Sequence, residues 1–279
     1  MKIIHTRQSV SDTLDKLREQ PLTIGFVPTM GTLHAGHLRL LEQARAENDI
    51  VVCSIFVNPI QFNNASDLER YPRHLDDDIA LIEDICDILF VPSIEEMYPV
   101  PPSEKYDFGT LETVMEGQFR PGHFNGVAIV VKRLFDLVKP DIAYFGKKDF
   151  QQLTIIRKLV EDCGNNIKIQ AVETVREDDG LAMSSRNKLL SPEARKMAPF
   201  IRQTLLEAKS LVEKKNPQEL SLWIKDIFDK NEAFTLEYIQ LVDAHTLEEI
   251  KNYTQTENIV ACIAVWLDNV RLIDNIMIK

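Results

Sequence analysis

Two histidines, His34 and His37, are the residues whose types and spacing most clearly allow chemistry. They are separated by Ala35 and Gly36 and stand where an apolar run, residues 23–27, changes into an amphipathic helical pattern. A helix N-terminus offers unpaired backbone N–H groups and a positive dipole end, which suit a phosphate. Imidazoles can donate to phosphate oxygens, and protonated ones would offset their charge. The pair predicts nucleotide phosphate chemistry, although two capping or surface histidines are an alternative.

A glycine and two lysines form a second candidate phosphate site at Gly146, Lys147 and Lys148. They follow an apolar run and precede a helical pattern, so they would lie at another strand-to-helix junction. Asp149 comes next and could belong to the same site, or it could simply cap the helix. Gln152 lies about one helical turn further along and could face the same cleft.

Two hydroxyl side chains followed by a guanidinium, Ser184, Ser185 and Arg186, would form a compact clamp for an oxyanion. The alternative is a polar linker, because this segment lies where the sequence pattern changes from one domain to the next. A clamp placed on a hinge could close over a bound nucleotide.

Gln61 and His123 lie in two loops that carry further polar groups. Gln61 follows an apolar run and Asn58-Pro59, and its amide both donates and accepts. This would suit a substrate with hydroxyl and carboxylate groups, while a turn residue that satisfies the backbone is an equal alternative. His123 lies in loop 120–126 and could reach a site or cap the following helix.

Three consecutive aspartates, Asp76, Asp77 and Asp78, could help to position a magnesium ion. An acidic run at a helix N-terminus is the commoner explanation, because it complements the helix dipole. No cluster of cysteines and histidines has the spacing of a zinc site, so a structural zinc is not expected.

The composition of the 279 residues limits the possible partners. The chain has 43 Asp and Glu against 32 Lys and Arg, a formal charge of −11, which disfavours DNA and RNA. The four cysteines are far apart, which favours reduced thiols. No apolar run approaches the ~20 residues of a membrane helix, and no signal peptide is evident. We expect a cytoplasmic protein that does not bind a membrane.

Strand and helix patterns alternate from residue 23 to about residue 174. The predicted strands are residues 23–27, 50–57, 88–91, 141–145 and 167–174. The predicted helices are residues 37–48, 76–87, 126–138 and 149–163. This alternation predicts an α/β fold, a Rossmann-like parallel sheet with helices on both faces. Ligands bind such sheets beyond the carboxyl ends of the strands, where the histidines, Gln61 and residues 146–149 would lie.

The pattern changes after about residue 175. Helices are predicted up to about residue 214 and over 217–230, followed by strands at 236–242, 259–267 and 270–278. Asp268-Asn269 would form the turn of a hairpin. We therefore expect a Rossmann-like domain over 1–175 and a smaller C-terminal α+β domain over 176–279.

Five segments, in this order, resemble the pantothenate synthetase (pantoate–β-alanine ligase) family. They are residues 28–38, 56–62, 120–124, 146–152 and 179–187, and the similarity extends over essentially the whole chain. One H-x-G-H motif would indicate only a broad nucleotidyltransferase superfamily, whereas five segments together are far more specific.

The resemblance implies an ATP-binding domain, a C-terminal lid and a homodimer. The implied reaction converts ATP, (R)-pantoate and β-alanine into pantothenate, AMP and diphosphate with Mg²⁺, through a pantoyl adenylate. The implied ATP-binding residues are Met30, Gly31, Thr32, Leu33, His34, Ala35, Gly36, His37, Gly146, Lys147, Lys148, Asp149, Val175, Met183, Ser184, Ser185 and Arg186. The residues expected to stabilise charge during catalysis are His34, His37, Lys148, Ser184, Ser185 and Arg186.

The resemblance also implies substrate and metal residues. Gln61 would contact pantoate and lie near β-alanine, and Gln152 would bind pantoate. His37 is usually assigned as a proton donor, and Asp77 matches a position associated with Mg²⁺.

The chain departs from the family at Lys147 and Ala35, where the family usually or often has glutamate. We expect Lys147 to point outward while Lys148 keeps the phosphate role. Two other classes of function stay open: a nucleotidyltransferase that makes a dinucleotide-like product, and a non-catalytic regulator that binds nucleotide or RNA.

Overall fold

The computed structural model describes residues 1–63 and 65–279, with residues 65–67 described by their backbone alone. The strands are β1 (Lys2–Ile4), β2 (Ile24–Thr29), β3 (Ile50–Ile55), β4 (Ile88–Phe90), β5 (Ile142–Gly146), β6 (Lys168–Val172), β7 (Phe234–Asp243), β8 (Ile259–Leu267) and β9 (Val270–Met277). The helices are α1 (Arg7–Leu17), α2 (Ala35–Glu47), α3 (Ala65–Arg70), α4 (Leu75–Ile82), α5 (Ile94–Met97), α6 (Glu116–Phe119), α7 (His123–Val138), α8 (Phe150–Asp162), α9 (Pro192–Met197), α10 (Phe200–Ser210) and α11 (Pro217–Asp229).

Six parallel strands form the main sheet in the order β1-β4-β3-β2-β5-β6. Neighbouring side chains of β2 enter different cores, Phe26 with α7 and Val27 with α2, so helices cover both faces. This confirms the predicted Rossmann-like sheet. The strand order reverses between β2 and β5, and the crevice beyond their carboxyl ends is the usual ligand site of such a sheet.

The C-terminal part is an α+β unit, as predicted. Strands β7, β8 and β9 form an antiparallel sheet, and buried side chains of α10 and α11 share a core with it. The β8–β9 hairpin turns at Asp268 and Asn269, whose φ angles of 53° and 58° lie in the left-handed region. Aspartate and asparagine tolerate this backbone better than most residues, which explains why the hairpin was recognisable in the sequence.

Some boundaries differ from the prediction. Strand β1 and helix α1 were not anticipated, since a three-residue edge strand carries little sequence pattern. Helix α4 ends at Ile82 rather than near residue 87, and α7 begins at His123 rather than at residue 126. None of the described helices is both long and apolar enough to cross a membrane.

Candidate functional site

Helix α2 begins at the two histidines, and its cap determines how their rings are placed. His34 is the N-cap, and its Nδ1 accepts from the Gly36 N–H at 3.0 Å. The His34 N–H in turn donates to Nδ1 of His37 at 3.3 Å. The two ring centroids lie 4.2 Å apart. The histidines therefore act as a reciprocal capping box, a role usually taken by serine or threonine with glutamate.

This cap fixes the tautomer of both histidines. A backbone N–H can only donate, so each Nδ1 must be unprotonated, and each neutral ring carries its proton on Nε2. Burial, followed by the nearby Lys148, lowers the pKa of His34 to about 4. Burial, followed by His34 and Lys148, lowers the pKa of His37 to about 3. Both rings are neutral Nε2–H donors at neutral pH, contrary to the expectation that protonated histidines would offset phosphate charge.

The turn between β2 and α2 is held by a buried carboxylate. Thr32 has a φ of 53°, a strained value for a β-branched residue. Its N–H donates to Asp78 Oδ2 at 2.8 Å, and the Leu33 N–H donates to Oδ1 at 2.5 Å. Asp78 is 3% exposed. It therefore fixes the backbone that leads from Gly31 into His34.

Gly36 lies directly beneath the ring of His34. A Cβ atom on Gly36 would lie 2.7 Å from Cε1 of that ring. The absence of a side chain on Gly36 therefore makes room for the ring of His34.

The turn between β5 and α8 carries the two lysines in different surroundings. Lys148 has a side chain that is 19% exposed, 3.7 Å from Asp149, and its charge acts on both histidines. Lys147 forms an ion pair with the exposed Glu173. A Cβ atom on Gly146 would meet no described atom within 4 Å, which leaves space above the turn.

A tight hairpin brings the third predicted segment to the histidines. The Met183 N–H donates to the Val175 carbonyl at 3.0 Å. A Cβ on Gly36 would lie 4.0 Å from Cβ of Met183, so this hairpin adjoins the cap of α2. Ser184 begins a short 3₁₀ helix, Ser185–Leu189, by accepting from the N–H of Arg186. The segment is therefore folded against the cap of α2 rather than an extended linker.

Gln61 presents one end of its amide towards the site. Asn58 Oδ1 accepts from the Ile60 N–H, and its Nδ2 donates to the Gly126 carbonyl, so the orientation of Asn58 is determined. Asn58 Nδ2 also donates to Gln61 Oε1 at 3.0 Å. The Gln61 NH₂ group then faces Met30 Sδ at 3.0 Å, a weak acceptor. The NH₂ group is thus the end of the Gln61 amide that points away from Asn58.

Of the other predicted residues, Asp149 lies 3.7 Å from Lys148, and its charge acts on His34. Gln152 is half-buried on α8 and Asp77 is exposed on α4. Within the described residues, no hydrogen bond or ion pair joins either of them to the histidines. Asp149 precedes α8 but makes no side-chain cap. His123 is buried at the start of α7, where its Nδ1 lies 2.9 Å from the Gln61 carbonyl.

Comparison with known proteins identifies the family. A sequence model described as pantoate-beta-alanine ligase matches residues 2–277. The chain belongs to the pantoate-beta-alanine ligase family.

Individual members support this assignment over the full length. The chain is 46% identical over 280 residues to pantothenate synthetase of Bacteroides thetaiotaomicron, covering 100% of this chain and 99% of the relative. It matches a crystal structure of pantothenate synthetase from Thermus thermophilus with a TM-score of 0.93 and 41% identity, covering 100% of both chains. A pantoate-beta-alanine ligase from Francisella tularensis, complexed with beta-gamma ATP and beta-alanine, matches with a TM-score of 0.83 and 36% identity, covering 100% and 98%.

The chain is accordingly a pantoate-beta-alanine ligase family enzyme, an ATP-dependent ligase that condenses pantoate with β-alanine.

Two residues that contact the predicted segments were not recognised from the sequence. Asp78, rather than Asp77, is the aspartate that contacts the turn before α2. It lies four residues before buried Ile82, so helical periodicity places it on the buried face and could have distinguished it. Tyr71 is the second, and it is half-buried. Burial raises its pKa, and the Arg186 guanidinium and the Ser185 hydroxyl oppose that effect. No sequence motif indicated that Tyr71 would approach these residues.

Proposed function

We propose that this enzyme activates pantoate as an acyl adenylate at the β2–β5 crevice. The observation that carries the proposal is that two neutral Nε2–H donors, Lys148 and the 175–183 hairpin lie around the cap of α2. Donors and cations held around one position suit the α-phosphate of ATP. Gln61, beside Met30, supplies a donor for the hydroxy acid.

In the first step a pantoate carboxylate oxygen attacks the α-phosphorus of ATP, and the bond to diphosphate breaks. The nucleophile is already ionised, so positioning and charge stabilisation matter more than a base. His34 and His37 donate hydrogen bonds to phosphate oxygens, while Lys148 and Arg186 supply positive charge. For His37 we propose hydrogen-bond donation in place of the proton transfer that the family resemblance implies, because a ring with a pKa of about 3 is not an imidazolium at neutral pH.

In the second step the neutral amine of β-alanine attacks the activated carbonyl carbon. The amide bond forms, the bond to AMP breaks, and the nitrogen loses one proton to water. Exclusion of water before this step protects the adenylate from hydrolysis. Gln61 and Gln152 are the residues that we assign to pantoate.

The donors around the crevice fit nucleotide-borne Mg²⁺ better than a metal held by the protein alone. No group of three potential ligands occurs among the described His, Cys, Asp and Glu side chains. Mg²⁺ commonly uses phosphate oxygens, waters and one carboxylate, and the exposed Asp77 could provide that carboxylate. When bound, the ion would neutralise charge on the phosphates of ATP.

The proposal assigns a different role to each of the two parts of the chain. Residues 1–175 would bind ATP and pantoate, and residues 176–279 would act as a lid. Met115 and Phe150 already pack against Val242 and Val260, so the two parts share a hydrophobic contact. The proposal includes a homodimer, which sedimentation would test, and a cytoplasmic location, which suits four free cysteines.

The test is release of AMP from ATP with pantoate and β-alanine, each omitted in turn. Pantoate-dependent exchange of labelled diphosphate into ATP, without β-alanine, should occur at a rate that supports turnover. No exchange in protein that still makes pantothenate would overturn the adenylate. AMP retained in a dinucleotide-like product would indicate the nucleotidyltransferase, and binding without turnover would indicate the regulator.

A further inference from the structure

Strand β9 of the C-terminal sheet contacts two segments of the nucleotide site through adjacent residues. Asp274 and Asn275 point to opposite sides of the strand, as neighbouring strand residues do. Neither lies in one of the five segments that carry the family resemblance. Each of them holds one of the two segments through hydrogen bonds.

Asn275 holds the turn that carries the two lysines. Its Nδ2 donates to the carbonyl oxygens of Lys147 and Lys148, both at 2.9 Å. On the other side of the turn, the Lys147 N–H donates to the Val172 carbonyl at 2.8 Å. A trans peptide directs its C=O and its N–H in opposite directions, so fixing the two carbonyls fixes two peptide planes. The carbonyl oxygens are thereby directed at β9 rather than left free to repel a phosphate.

Asp274 holds the hairpin that brings Met183 to the histidines. It is 4% exposed and replaces an apolar residue in a strand whose alternate side chains enter the core. Its two oxygens accept from Arg176 at 2.7 and 2.9 Å, and Arg176 also donates to the Gly180 carbonyl at 3.1 Å. A bidentate pair of this kind fixes geometry as well as charge. Arg176 directly follows Val175, the partner of Met183.

We propose that Asp274 and Asn275 are positioning residues that set the two nucleotide-contacting segments in register with each other. The inference rests on the proposed function, since it takes both segments to contact ATP. A phosphate site depends on small displacements of its donors, so a shift of the turn would weaken ATP binding and leave the β-alanine site unchanged. Asn275→Asp tests this, because a carboxylate of the same size cannot donate to either carbonyl.

The experiment compares kcat and KM for each substrate in wild type, Asn275→Asp and a matched control, Asn258→Asp. Asn258 is exposed beside the start of β8, so its substitution changes charge alone. We expect kcat/KM for ATP to fall about tenfold or more in Asn275→Asp, with KM for β-alanine within about twofold of wild type. Wild-type kinetics for ATP in this variant would overturn the inference, whereas an inactive wild type would overturn the proposed function instead.

A second comparison distinguishes positioning from a general loss of folding. Asn275→Gln keeps the NH₂ group on a side chain longer by one CH₂, and Asn275→Leu keeps no donor. The glutamine variant should recover at least about threefold in kcat/KM for ATP over the leucine variant, since its amide can donate to the carbonyls again. Equal losses in both variants, with unchanged KM for ATP and lowered melting temperature, would show that Asn275 is merely structural. Asp274→Asn should likewise raise KM for ATP if it folds.

Discussion

Gly36 donates its backbone N–H to Nδ1 of His34 while the His34 ring lies over the same glycine, at a distance that leaves no room for a side chain. One residue thus provides both the hydrogen bond that fixes the tautomer and the space that the ring occupies. The glycine of the motif is required by the histidine two residues before it.

Gly36→Ala should therefore displace the His34 ring. The new Cβ would lie 2.7 Å from Cε1, so the ring must move and the cap hydrogen bond must break. Loss of the cap costs about 1 kcal/mol, partly offset by the better helix propensity of alanine. The loss of an aligned donor should lower kcat/KM for ATP by about 10². Ala46→Gly, at an exposed position near the end of the same helix, is the control, and an unaffected Gly36→Ala enzyme would contradict this account.

The pH dependence should show histidines that work in the neutral form. Their pKa values are lowered to about 4 for His34 and about 3 for His37, so both stay neutral until the pH falls through about 4. Pantoate-dependent diphosphate exchange should therefore stay nearly constant from about pH 8 to about pH 5.5, with no loss near the ordinary histidine pKa of about 6.5. The exchange omits β-alanine, whose amine would add its own titration. A decline centred near 6.5 would show that the rings titrate normally.

Substitution of Lys148 and of Lys147, in the β5–α8 turn, should change kcat/KM for ATP to different extents. Lys148 is largely buried beside the histidines, whereas Lys147 pairs with exposed Glu173. Exposed ion pairs contribute at most about 1 kcal/mol. Lys148→Met should lower kcat/KM for ATP by about 10² or more, and Lys147→Met by less than about threefold. Similar losses in the two variants would place Lys147 on the nucleotide as well.

Two adjacent aspartates of the triplet can be compared directly. Asp78 accepts from the backbone before α2, and Asp77 is the candidate Mg²⁺ ligand. Asp78→Asn replaces one of two acceptors for the N–H groups of Thr32 and Leu33 by a donor, so it should destabilise the turn by about 1–3 kcal/mol. The exposed Asp77→Asn should leave the melting temperature unchanged and raise the Mg²⁺ concentration needed for half-maximal activity. An unchanged Mg²⁺ requirement would remove Asp77 from the metal site.

The alternation of strands and helices was predictable because burial on both faces gives strands such as β3 a continuous apolar run. The proximity of the turns that follow β2 and β5 was also predictable, because the carboxyl ends of parallel strands meet at one edge of the sheet. The direction of hydrogen bonds was not predictable. Whether Nδ1 or Nε2 of His34 carries the proton depends on a backbone N–H two residues away, which no spacing rule specifies.

Contacts between segments far apart in the sequence could not be predicted either. The link from Asn275 to the carbonyls of Lys147 and Lys148 spans more than a hundred residues and needs the C-terminal sheet to pack against the first domain. Of the residues in these contacts, only Asp274 could be recognised from the sequence, because a carboxylate among the core-facing residues of a strand requires a buried partner. The sequence could indicate that such a partner exists, but not that it is Arg176.

We expect Gln61 to contact pantoate as a hydrogen-bond donor. Its Oε1 already accepts from Asn58, and its NH₂ group faces Met30. Gln61→Glu keeps the contact with Asn58 but points a carboxylate oxygen at the carboxylate and hydroxyls of pantoate. KM for pantoate should rise by about 10² in this variant, since like charges repel and a charged hydrogen bond is lost. Gln218→Glu, exposed on α11, is the matched control for charge. Measurement of KM for pantoate at saturating ATP decides the matter, and a Gln61→Glu enzyme with wild-type KM would mean that the amide is oriented the other way.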